Sequence, residues 1–112
     1  MLKRSLRLTK QKEIDNVFQS GRGSYNNYIG IKAVKNDRDH SRVAIIVGNK
    51  VSKKAVVRNK LKRRLSHIIK EYLPYFSENY DMVAVVLPPA TQLDFHQLKK
   101  KVHGSFKGLG LL

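Results

Sequence analysis

Between Val57 and Tyr72 the apolar residues recur at helical spacing. Val57, Leu61, Leu65, Ile68, Ile69 and Tyr72 are separated by steps of 4, 4, 3, 1 and 3. At about 100° per residue they fill one arc of roughly 120°. Pro74 places the end of this helix near Leu73. The rest of the chain must therefore supply an apolar layer for a long amphipathic helix to lie on. The opposite arc carries Asn59, Lys62, Arg63, Ser66, His67 and Lys70. From Lys50 to Arg64 there are eight Lys or Arg, and no acid occurs between Asp39 and Glu71. A solvent-facing helix ordinarily interleaves its signs to gain i,i+4 pairs. Here the self-repulsion is relieved only by an external anion. Lys53, Lys54 and Arg58 even crowd the positive end of the macrodipole, where cations are disfavoured. Together with free backbone N–H groups they make a phosphate site. Arg58 falls at the edge of the apolar arc, so its head must snorkel past the core or meet a partner.

The flanking segments read as a small α+β domain. Lys10 to Gln19 is expected to be a short helix, with Thr9 as N-cap and Gly21 as its stop. Ile14, Val17 and Phe18 share one face of it, either as core or as an open stacking surface. In Tyr25 to Val34, the residues Ile29, Ile31 and Ala33 alternate as in a strand, and the segment is long enough to split in two. Asn36 to Ser41 has turn chemistry, and Val43 to Val47 is a continuous apolar strand. These two strands are expected to pair as a hairpin. Asp81 to Leu87 is a third buried strand, closed by Pro88 and Pro89. Asp94 and Gln97 form a capping-box pattern. The stripe Phe95, Leu98, Val102 and Phe106 follows, with Lys99 to Lys101 outside and Gly104, Gly108 and Gly110 loosening the tail. The expected architecture is one domain over residues 1–112: a two-layer sandwich in which a small mixed sheet of about four strands packs with helices.

Charge narrows the class of function. The formal net charge of the 112 residues is +15, a field that attracts polyanions, nucleic acid ahead of an anionic membrane surface. The N-terminus adds Lys3, Arg4, Arg7, Lys10 and Lys12 before the first acid, Glu13. It lacks the apolar core of a secretory signal. The run Met82 to Leu87 is too short to span a membrane. With no Cys, disulfides and thiolate metal sites are excluded. RNA hydrolysis by a protein needs clustered carboxylates around a metal, or a His pair with a cation. The eight acids lie scattered at positions 13, 15, 37, 39, 71, 78, 81 and 94. Asp37 and Asp39 read as a solvated turn beside Arg38, and His96 and His103 as solvated side chains. No catalytic residue and no metal ligand is expected.

Lys50 and Val51, followed by Ala55 to Leu65, resemble the signature helix of the bacterial ribonuclease P protein subunit. The core of the likeness is Arg58-Asn59-Lys60-Leu61-Lys62-Arg63. Lys60 departs from the more usual Arg, and Ser66 stands where an Arg is common. The likeness can be followed from about Leu6 to Phe106. It implies a four-stranded sheet with a left-handed crossover around the basic helix. It also implies a cytoplasmic RNA-binding subunit that assists a catalytic RNA in removing the 5′ leader of precursor tRNA, with Mg2+ held by that RNA. Lys50, Lys53, Lys54, Arg58, Asn59, Lys60, Lys62, Arg63 and Arg64 would then contact the catalytic RNA. Arg7, Ile14, Val17, Phe18 and Lys32 would line a leader-binding cleft. Phe18 matches a Phe of the family, and Ile14 stands where a second aromatic is often found. No membrane and no protein partner is implied. The competing reading is a structural, ribosomal-type RNA-binding protein, which shares the charge but needs no open aromatic cleft. Binding to single-stranded RNA should weaken with salt at about −0.7 log units per phosphate neutralised. With about five basic residues engaged, the log–log slope should be roughly −3 to −4. A titration series giving a slope near zero would remove the polyanion reading.

Overall fold

The computed structural model describes residues 2–112. Four strands, β1 (Arg22–Tyr25), β2 (Ile29–Lys35), β3 (Arg42–Ile46) and β4 (Tyr80–Val86), form one mixed sheet in the order β1-β2-β4-β3. β4 is covered on both faces, with Met82, Val83 and Ala84 each 1% exposed, and such a strand belongs in the middle of a sheet. It runs antiparallel to β2, with Ala33 opposite Met82, and parallel to β3, with Val43 beside Met82. The expected hairpin between the second and third strand segments is therefore not formed, because β4 separates them. The hairpin is instead β1–β2, produced by the split of the long first segment. Asn26 makes its turn, its side-chain oxygen accepting from the backbone N–H of Tyr28 and of Ile29, both at 2.8 Å. The loop from 36 to 41 does not close a hairpin but steps over the start of β4. Asn36 N–H donates to the Asn79 carbonyl, and Tyr80 N–H donates to Ser41 Oγ.

One face of the sheet carries α2 (Ala55–Tyr72) and α3 (Phe95–Gly108). Ile29, Ile31, Ala33, Val43, Met82, Ala84 and Val86 meet Leu61, Leu65, Ile68 and Ile69 from α2 and Leu98, Val102 and Phe106 from α3. These are the stripes that the 3.6-residue period marks. Asp94 caps α3, with both halves of the capping box present. Gly104 and Gly108 lie inside α3 rather than loosening a tail, and the helix is followed by Gly110 at φ +73°. The chain end folds back, and Leu109 and Leu111 are buried. His103 is not simply solvated: its Nδ1 lies 3.1 Å from the Tyr72 hydroxyl.

The other face carries only α1 (Gln11–Ser20). Leu8 N–H donates to the Val43 carbonyl, so residues 7 and 8 are extended along β3 and the helix begins after them. Lys10, not Thr9, takes the N-cap position, without a side-chain hydrogen bond. Gly21 ends the helix in extended backbone. A side chain there would strike the Val17 and Ala33 carbonyls, so Gly is needed for close approach. Val17 is fully buried, packed with Leu8, Ala44 and Val83.

One buried cation pins α1 in place. Arg42 donates Nε and Nη2 to Asp81 (3.0 and 2.7 Å) and Nη1 and Nη2 to Glu13 (3.2 and 2.6 Å). Arg42 and Asp81 side chains are each 11% exposed. The hydrogen bond from Arg42 holds the Glu13 carboxyl below its ordinary pKa of 4.5, and the two carboxylates push that of Arg42 up. Arg42→Met should cost about 3 kcal/mol, because it leaves Asp81 a buried, uncompensated charge. Lys35→Met should leave the melting temperature almost unchanged, because its bridge to Glu78 is solvated. The contribution of Glu13 should be complete above pH 4.5 and lost as pH falls through its lowered folded-state value. The gap in melting temperature between the parent and Glu13→Gln should accordingly close on acidification. A gap independent of pH would show that the pair contributes nothing.

Candidate nucleic-acid interface

The outward face of α2 is basic and has no internal counter-charge. Val56 (75% exposed), Asn59, Lys60, Arg63, His67 and Lys70 point to solvent, preceded by exposed Lys50, Lys53 and Lys54. Among the described residues, no ion pair reaches any Lys or Arg from 50 to 64. The one acid of α2, Glu71, sits at its far end, engaged by Lys99 at 2.9 Å and His67 at 3.1 Å. The first turn contains no acid and the N-cap no side-chain hydrogen bond. Two of the cations are partly anchored. Arg58 Nη1 donates to the Ser52 carbonyl at 2.8 Å, so the head at the edge of the apolar arc has found a backbone partner. Arg64, half-buried, reaches the Leu93 carbonyl at 3.4 Å.

Lys62 and Ser66 do not sit on that outward face. Lys62 is half-buried and Ser66 is buried, its hydroxyl donating to the Lys62 carbonyl at 2.7 Å. The start of the N-terminal segment lies along this flank of α2, with Leu2 buried in the same core cluster as Leu61 and Leu65. A helical wheel drawn for α2 alone carries no trace of that neighbour.

Lys62 instead borders a second surface, a groove of about 360 Å³ between α1, the edge of β3 and α2. Arg7, Ile14 and Ile46 line it with Lys62. Beyond the groove the sheet is only partly roofed. Lys32 Nζ donates to the Phe18 carbonyl at 2.7 Å, tying the last turn of α1 to β2. Phe18 itself stays 39% exposed. The pairing register aligns Tyr25, Gly30, Val85 and Ile46 in one row across all four strands. Tyr25 and Ile46 are 63% and 37% exposed. Of the cleft residues expected from sequence, Arg7 and Ile14 line the groove, while Phe18 and Lys32 flank the open row. Val17 offers no surface at all. Tyr25 and Ile46 were missed. The signal for Tyr25 was Gly23 and Gly30 in β-patterned sequence, where glycine marks a close approach.

Residues 2–110 match the family model described as Ribonuclease P. The chain belongs to the ribonuclease P protein family. It is 33% identical to the ribonuclease P protein component of Synechocystis sp., over 99% of this chain and 90% of that one. It is 30% identical to that of Cyanothece sp., over 91% and 90%. Its fold superposes on the RNase P protein of Thermotoga maritima with a TM-score of 0.80 at 27% identity, covering 88% of this chain and 94% of that one. With the Staphylococcus aureus protein the TM-score is 0.87 at 22% identity, covering 95% and 96%. As a member of the family the chain is an RNA-binding subunit of ribonuclease P, the ribonucleoprotein that processes the 5′ end of tRNA. Among the described residues, no group of three or more His, Asp or Glu could hold a metal ion, and no helix is long and apolar enough to cross a membrane.

Proposed function

We propose that the two surfaces divide the work of this subunit. The outward face of α2, with Lys50, Lys53, Lys54, Asn59, Lys60 and Arg63, docks on the catalytic RNA of ribonuclease P. Arg58 and Arg64 add donors at its margins. The groove and open row beneath α1, with Arg7, Ile14, Phe18, Lys32 and Lys62, hold the 5′ leader of precursor tRNA. The observation that carries this reading is the incomplete roof. Arg7 and Lys62 border a groove at the β3 edge, and α1 leaves Ile46, Phe18 and Tyr25 part-exposed on the same side of the sheet, which is the chemistry a single unpaired strand needs. A convex basic helix suits a large folded polyanion instead. In this reading Mg2+ is held by the RNA partner and the protein orients RNA. The chain works as a single RNA-binding domain over residues 1–112, in the cytoplasm where tRNA matures.

Two variants separate the surfaces. Phe18→Ala should weaken precursor tRNA binding by the holoenzyme by about 1–3 kcal/mol and leave mature tRNA binding unchanged. Lys60→Ala with Arg63→Ala should weaken assembly with the catalytic RNA and reduce its salt slope by about 1.4. Since Phe18 is part-exposed, its removal should shift the melting temperature only slightly. A Phe18→Ala protein that melts much earlier and loses precursor and mature tRNA equally would contradict the leader assignment.

A further inference from the structure

We propose that Tyr25, on the edge strand β1, is a stacking platform for an unpaired base of the leader, seated there by Gly23 and Gly30. The inference rests on the leader assignment made above and adds a residue to it. A strand side chain ordinarily stands off its sheet. The Tyr25 ring instead lies across two strands, in the space that two glycines leave empty. A Cβ on Gly23 would fall 2.6 Å from Tyr25 Cε2, and one on Gly30 would fall 2.6 Å from Tyr25 Cε1. Gly30 is the direct cross-strand partner of Tyr25, and Gly23 lies two residues before it on the same side of β1. Either glycine replaced by a larger residue would lift the ring.

Packing does not account for this placement. The ring is 63% exposed, and its hydroxyl has no hydrogen-bond partner among the described residues. The face it occupies is the one α1 leaves open, in the same row as Val85 and Ile46. Lys32, the cross-strand partner of Gly23, stands on the same face of the sheet with its amine on the Phe18 carbonyl. An exposed ring held low at one end of an apolar row, on a face that also carries a lysine, is how sequence-tolerant recognition of single strands is built. The other purpose of such a ring is to shield strand backbone over glycine. That purpose needs apolar cover and no π-face.

The two purposes separate by substitution in the reconstituted holoenzyme. Tyr25→Phe should bind precursor tRNA as the parent does. Tyr25→Leu, which keeps apolar cover, should lose about tenfold in precursor affinity and nothing with mature tRNA. The chain contains no Trp, so Tyr25→Trp supplies a single reporter. Its fluorescence should be quenched by precursor tRNA and not by mature tRNA. Equal precursor binding by Tyr25→Leu and Tyr25→Phe, with no quenching, would overturn the proposal. If Phe18→Ala weakens precursor binding and leaves mature tRNA binding unchanged in that case, the leader reading survives and only the role of Tyr25 falls. If neither substitution weakens precursor binding selectively, both fall.

Discussion

The arrangement depends on where α1 is held. A ten-residue helix spans only about 15 Å, so it covers part of a four-stranded sheet and its anchoring decides which part. Arg42 sets that choice by gripping Asp81 on β4 and Glu13 on α1 at once. Val17 packs the helix down on Ala44 and Val83, and Lys32 ties its last carbonyl turn to β2. All of these contacts lie toward one end of the sheet. The row from Tyr25 to Ile46 lies at the margin of them, with its two ends, Tyr25 and Ile46, left exposed. An ion pair is an apt anchor at this place. Its directional geometry fixes the position of the helix, where an apolar contact alone would allow it to slide over more of the sheet.

The opposite face follows a different logic. There two helices bury the central strands, and α2 is stabilised by its aliphatic stripe rather than by its own charges. Eighteen residues with one acid give up the stabilisation that i,i+4 pairs supply, and the first turn opposes the macrodipole. The core under Leu61, Leu65, Ile68 and Ile69 offsets that cost. The charge pattern is therefore left free to suit an RNA partner, and binding relieves a repulsion that folding left in place.

Much of this was legible in the sequence. The stripe of α2, the capping box of α3 and the buried character of β4 rest on local periodicity and end chemistry, which a linear reading captures. The absence of acids from 40 to 70 marked the outward face of α2 as basic and without counter-charge. Three features were not legible. The pairing of β3 with β4 instead of β2 is a long-range choice, made because β4 is apolar on both sides. The inward turn of Lys62 and Ser66 is imposed by the N-terminal segment, a neighbour the helix period does not contain. The burial of Val17 beside the exposure of Phe18 depends on the Arg42 clamp, whose three members are 29 and 39 residues apart along the chain. Tyr25 lay in plain sight, but its meaning comes from two glycines on neighbouring strands.

On the proposed division, two separate faces of the protein meet two different RNAs. The chain contains no Cys, so single cysteines carrying a photo-crosslinker can be placed at Val56, outward on α2, and at Ile46, at the end of the open row. In the holoenzyme bound to precursor tRNA, crosslinks from Val56→Cys should map to the catalytic RNA. Those from Ile46→Cys should map to the 5′ leader and vanish with mature tRNA. Crosslinks from both positions to the same RNA would contradict the division of the two surfaces.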